Sequence, residues 1–142
     1  MKTVQQLLST KSVQIFSVTE NSSVLDALKV MMEKNISALL ILEGQQLKGI
    51  FTERDYARKI VLHGKSSADT SIKEVMTANP IAVLPSDSIE FCMGIMTDKH
   101  IRHLPVMQGD QLLAMVSIGD MVKFIIEDQK QTISQLESYI NS

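Results

Sequence analysis

Two hydrophobic periods alternate along this chain, and the alternation happens twice. A polar cluster, Asn21-Ser22-Ser23, precedes apolar residues at helical spacing (Val24, Leu28, Met31, Met32), which predicts a helix with a polar N-cap. A continuous apolar run over residues 36–42, a glycine at 44 and a second run over 47–51 read as a β-hairpin. From Thr52 the helical period returns with Ile60 on its apolar face, so a second helix closes the unit.

The same signals recur when the chain is slid onto itself so that Asp55 lies over Asp120, a shift of 65 positions. Ser86-Asp87-Ser88 then precedes Ile89, Met93 and Met96; runs over 101–107 and 112–116 flank Gly109; and Ser117 opens a helix carrying Ile125. Val18 meets Val83, Ser23 meets Ser88, Met31 meets Met96, Ile36 meets Ile101, Gly44 meets Gly109 and Leu47 meets Leu112, without a gap. The pattern predicts an α/β (α+β) chain of two β-α-β-β-α repeats, neither able to bury a core alone, packed about a pseudo-twofold axis. The expected divisions are 1–65 for the first copy with its N-terminal segment, 66–127 for the second, and 128–142 for a tail. Residues 63–70 are small and polar, a connecting loop, after which Ser71 caps a short turn through Met76. In the tail, Ile126, Ile133 and Ile140 fall seven apart with Leu136 between them, so a helix running past the second copy carries an apolar seam. That seam either meets a partner or folds back on its own chain.

Composition narrows the function classes. With 142 residues, 44% of them hydrophobic, and no apolar run near the ~20 residues of a membrane span, the expectation is a cytoplasmic protein with no membrane partner. One cysteine, Cys92, allows no internal disulfide, and with His63, His100 and His103 it forms no zinc spacing; it aligns with Ala27 and reads as core. A net charge of −2 and 4% aromatic residues disfavour nucleic acid, so a phosphate site would have to be local. The six glycines spell neither a Walker loop nor a dinucleotide fingerprint, and no nucleophile–base pair or carboxylate pair is legible; the chain is read as a non-enzyme.

The strongest local signals are GIFTERD, residues 49–55, and AMVSIGD, residues 114–120, each at a strand-to-helix junction. Thr52 with Asp55, and Ser117 with Asp120, have the form of a capping box that satisfies free amides at a helix start. The same place also suits a ligand, since unpaired amides and the positive helix end attract phosphate, a hydroxyl donates to it, and a carboxylate accepts both donors of a ribose cis-diol. Gly49, and nearly so Ala114, would leave room beside the strand.

These residues, with NISALLIL, HIRHLPVM and EVMTANPIAV, resemble a tandem pair of cystathionine-β-synthase-type (CBS) domains, the Bateman module, over essentially the whole chain. The resemblance implies two pseudo-symmetric clefts for adenosine compounds (AMP, ADP, ATP, NAD or S-adenosylmethionine), pairing as a homodimer, and a sensor role toward another, regulated protein. Carried over, Thr52 and Asp55 hold ribose and phosphate in one site, and Ser117 and Asp120 in the other. Arg102 and His103 reach the phosphates of the ligand at Asp55, while Arg54 points at the ligand of Asp120. Ile15, Val18, Ile50, Ile81, Pro105 and Met115 flank the adenine. Arg54, Arg58, Lys59, His63 and Lys65 also fit a solvated helix face. The competing reading is a ligand-free interaction or dimerisation module whose two motifs are only helix caps.

Overall fold

The computed structural model describes residues 2–141. The chain runs α1 (Val4–Ser9), β1 (Ser17–Val18), α2 (Val24–Lys34), β2 (Ala38–Glu43), β3 (Gln46–Thr52), α3 (Glu53–Asp55) and a π-helical turn (Tyr56–Val61). It continues with α4 (Ile72–Val75), β4 (Thr77–Ala78), α5 (Ile89–Lys99), β5 (His103–Gln108), β6 (Gln111–Ser117) and α6 (Ile118–Asn141). The expected β-α-β-β-α order is present in the first copy. In the second, the leading strand shrinks to one parallel bridge, Val83 with Val106.

The copies are alike in detail because the same local chemistry builds both. Ser23 accepts from the Asp26 amide and Ser88 from the Phe91 amide, each at 3.0 Å, so both long helices start on a serine cap. Both end on a left-handed residue, Asn35 (φ 54°) and His100 (φ 57°). Both hairpins turn on a glycine at positive φ, Gly44 and Gly109. The sheets have strand order β1-β2-β3-β4 and β5-β6.

Strand alternation sorts the apolar runs into three cores. Leu39, Ile41 and Phe51 pack with Val24, Ala27, Met31 and Ile60 in the first copy, while Leu104, Val106 and Val116 pack with Ile89, Cys92, Met96 and Met121 in the second. The opposite faces meet between the hairpins, where Ala38, Leu40 and Ile50 are buried against Leu47, Leu112 and Met115. Coverage on both faces explains why these strands read as continuous apolar runs.

Three features depart from the sequence reading. The helix after Thr52 does not keep the α period but widens, with the Leu62 amide reaching back to the Ala57 carbonyl at 3.1 Å. The N-terminal segment contributes a helix, α1, whose Val4 and Leu7 are buried in the core of the second copy. Conversely, the short turn after Ser71 is α4, whose Ile72 and Val75 are buried in the core of the first. Backbone pairs fix this exchange: Val4 donates to Asp87 and Ile89 to Lys2, while Val24 donates to Thr70 and Ile72 to Ser22, at 2.8–2.9 Å.

The tail does continue the second copy's last helix. At 24 residues α6 spans roughly 36 Å, and every described residue past Asp128 is exposed. No helix among the described residues is long and apolar enough to cross a membrane.

Candidate functional site

Both motifs at the strand-to-helix junctions form the reciprocal cap. Thr52 donates its amide to Asp55 Oδ2 at 3.0 Å and accepts the Asp55 amide on Oγ1 at 3.1 Å. Ser117 and Asp120 repeat this at 2.8 and 3.0 Å. The two carboxylates then diverge. Asp55 is buried, and its Oδ1 is ion-paired to Lys59 at 3.2 Å, with the same ammonium held by the Val75 carbonyl at 2.9 Å. Asp120 keeps about a third of its side chain exposed and faces Lys11, whose Nζ lies 3.0 Å from Oδ2.

Asp120 opens onto a cavity of about 310 Å³ between the two copies, within the ~300–1,000 Å³ of small-molecule sites. The segment before β1 supplies Lys11, Gln14, Ile15 and Phe16; the entrance to β2 supplies residues 35–38 and Leu40; the second hairpin and the start of α6 supply His103, Met115, Val116, Ser117 and Asp120. Of the residues the sequence reading singled out, Ile15, Met115, Ser117 and Asp120 line this one cavity.

His103 comes to this cavity too, rather than to Asp55. It stands opposite Ser117 in the β5–β6 pairing, so it must share that motif's site, and its Nε2 lies 3.4 Å from Ser37 Oγ. Arg102, one residue earlier, is exposed, and its carbonyl accepts the Ile118 amide at 2.9 Å. Arg54 does not reach the Asp120 cavity: its Nη1 donates to the His100 carbonyl at 2.5 Å, satisfying a free carbonyl at the end of α5. Val18 pairs with Ile41 and packs into the first core, and Ile50 is buried between the hairpins. Pro105 is buried opposite Met115, and Ile81 is exposed. None of these four lines the cavity.

The space expected beside Gly49 is taken by the chain itself. A Cβ there would stand 2.6 Å from Met76 Sδ and 2.8 Å from the Thr77 carbonyl, so the glycine serves the close approach of β4. Ala114 is likewise buried in the second core.

Electrostatics separate the cavity's three ionisable groups. Burial holds the His103 imidazole below its ordinary pKa, with Arg102 adding to the effect and Asp120 and Glu53 only partly opposing it. Burial would raise Asp120, but the Ser117 amide and Lys11 outweigh it and hold the carboxyl below its ordinary value. At neutral pH the cavity thus presents a neutral imidazole and a carboxylate, the latter paired with Lys11 Nζ. Cys92, buried in the second core, has its thiol pushed up to about 11 by burial and by Asp87, in keeping with an inert side chain.

Lys11, Gln14, Phe16, Asn35, Ile36, Leu40 and Val116 were not expected at a site. A signal existed: carried past Val18 toward the N-terminus, the 65-residue shift sets Lys11 over Met76, a charge against an apolar residue at equivalent places.

A sequence model of the CBS domain matches residues 4–62 and 72–127. The mitochondrial CBS domain-containing protein CBSX3 of Arabidopsis thaliana is 39% identical over 127 residues, 86% of this chain and 62% of that protein, so the chain spans somewhat under two thirds of its length. A putative signal-transduction protein with CBS domains from Burkholderia ambifaria superposes with a TM-score of 0.86 at 49% identity, covering 90% of this chain and 96% of the other. CBSX2 in complex with AMP shares the fold, with a TM-score of 0.76 at 20% identity over 91% of this chain and 99% of the other. The chain belongs to the CBS-domain family and carries two of these domains in tandem, arranged as a Bateman module.

Proposed function

We propose that this chain is a non-catalytic regulatory module that binds an adenosine phosphate, such as AMP, ATP or NAD, in the cavity beside Asp120 and signals through the relative placement of its two copies. CBS-pair proteins are regulatory modules, and one protein of this fold holds AMP. The observation that carries the reading is the contrast between the two carboxylates. Asp120 keeps an exposed edge on a cavity lined by both copies, whereas Asp55 is enclosed by Thr52 and Lys59. A ligand in a cavity with walls from both copies favours one arrangement of them, and that preference is its regulatory output.

Thermal unfolding of the full chain with millimolar AMP, ATP and NAD tests this. A bound nucleotide at 100-fold excess over its Kd adds about 2.7 kcal/mol, a rise in Tm on the order of 5–10 °C. Asp120→Ala should abolish the rise and Asp55→Ala should retain it, with calorimetric titration as the direct measure. No stabilisation by any nucleotide, or undiminished binding by Asp120→Ala, would overturn the proposal.

A second reading rests on α6, whose Ile133, Leu136 and Ile140 are exposed beyond the core. It makes the chain a homodimer joined through that seam, with or without a ligand.

A further inference from the structure

The geometry points to Lys11 as an exchangeable occupant of the ribose position: its ammonium holds Asp120 when the cavity is empty and transfers to the ligand's phosphate when a ribose hydroxyl displaces it. The inference rests on the nucleotide-binding reading above and adds to it the means by which phosphorylated and bare nucleosides are told apart.

The argument begins with lone pairs. Asp120 Oδ2 already accepts two hydrogen bonds, from the Ser117 amide at 2.8 Å and from Lys11 Nζ at 3.0 Å. A carboxylate oxygen has two such acceptor positions, so Oδ2 is full. A cis-diol that engages both oxygens must remove one donor. The Ser117 amide is fixed in the backbone at the start of α6, which leaves the lysine, on its flexible stem, to move. The ammonium's other neighbouring acceptor, the Met115 carbonyl, is 3.5 Å away and holds it only weakly.

The displaced charge then needs an anion. Lys11 is the only Lys or Arg among the residues lining the cavity, and the half-buried imidazole of His103 is held below its ordinary pKa. A 5′-phosphate supplies the anion and bare adenosine does not, so adenosine binds at the expense of an ion pair while AMP replaces it. The first copy shows what an occupant unable to exchange looks like: Lys59 is held from two sides, by Asp55 at 3.2 Å and by the Val75 carbonyl at 2.9 Å.

Calorimetric titration of the parent, Lys11→Met and Lys11→Arg with adenosine and with AMP provides the test. The expected signature is opposed: Lys11→Met binds adenosine at least as tightly as the parent but loses about tenfold or more for AMP, and Lys11→Arg restores the preference. An equal change for both ligands, or none, would overturn the exchange while leaving the site intact. Binding of neither ligand by the parent would remove the site reading and the exchange together. Should Lys11→Met fail to fold, side-chain nitrogen NMR of Lys11 in the parent reads the same event. The ammonium signal should be protected in the free chain, lost with adenosine and recovered with AMP; a signal indifferent to both ligands refutes the proposal.

Discussion

Asp55 and Asp120 occupy the same register in their copies, and what separates them is the lysine each one meets. Lys59 is four residues along the same helical segment, whereas Lys11 arrives from more than a hundred residues away. His103 offers a further handle at this scale. Its imidazole is neutral in the fold because burial disfavours the cation, while in the unfolded chain it protonates near pH 6.5. The unfolded state therefore takes up the proton first as pH falls. This contribution to stability is complete above about pH 6.5 and declines below it toward the folded pKa. Urea midpoints at pH 7.5 and 5.5 should fall less for His103→Gln than for the parent; an equal fall would show that His103 is not the group responsible. Ser117 and Asp120 were paired by a local motif, and Ile15 and Met115 were added by the family resemblance; all four line one cavity. The family resemblance set His103 with Arg102 at the ligand of Asp55, whereas the β5–β6 pairing puts His103 opposite Ser117 and so at the cavity of Asp120. Lys11 was missed because its contact with Asp120 spans 109 residues, and the internal alignment marks it only by a charge set over the apolar Met76.

Among the elements, the hairpins and the two capped helices were readable, since each carries its own period and its own cap. Helix α1 was not, because six residues are too few to show a period; the turn capped by Ser71, which is α4, was read, but not whose core it fills. Strand β4 was equally hidden, although Gly49 marks it. Gly49→Ala would drive a methyl to within 2.8 Å of the Thr77 carbonyl, a backbone atom that cannot rotate away, so β4 must shift. The expected loss is about 1–3 kcal/mol by chemical denaturation. Gly119→Ala is the control: at the start of α6 its Cβ meets nothing nearer than Ser117 Oγ at 3.6 Å, so it should be neutral or stabilising by up to about 1 kcal/mol. Equal effects at both positions would mean that the close approach of β4 does not govern Gly49.

For the whole molecule, the long final helix sets the question of assembly. Residues 129–141 are exposed and the three cores draw nothing from them, so if the chain is a monomer, ending it at Asp128 should change the unfolding free energy by no more than about 1 kcal/mol. If the seam of Ile133, Leu136 and Ile140 joins two copies, light scattering should show the mass fall from dimer to monomer on truncation. An unchanged mass would place any self-association elsewhere on the surface. The pseudo-twofold plan was visible in the sequence because duplication preserved the register; the crossing of the two short helices was not, because it is a relation between distant segments.

That crossing also governs how the chain can be divided. A cut in the loop at 63–70 would leave a front piece holding α1, which belongs in the rear core, and a rear piece holding α4, which belongs in the front one. Each fragment would carry an empty slot and a spare plug fitted only to the other. The duplicated unit has therefore ceased to be a separable part: the repeat in the sequence is not the smallest piece that can stand alone.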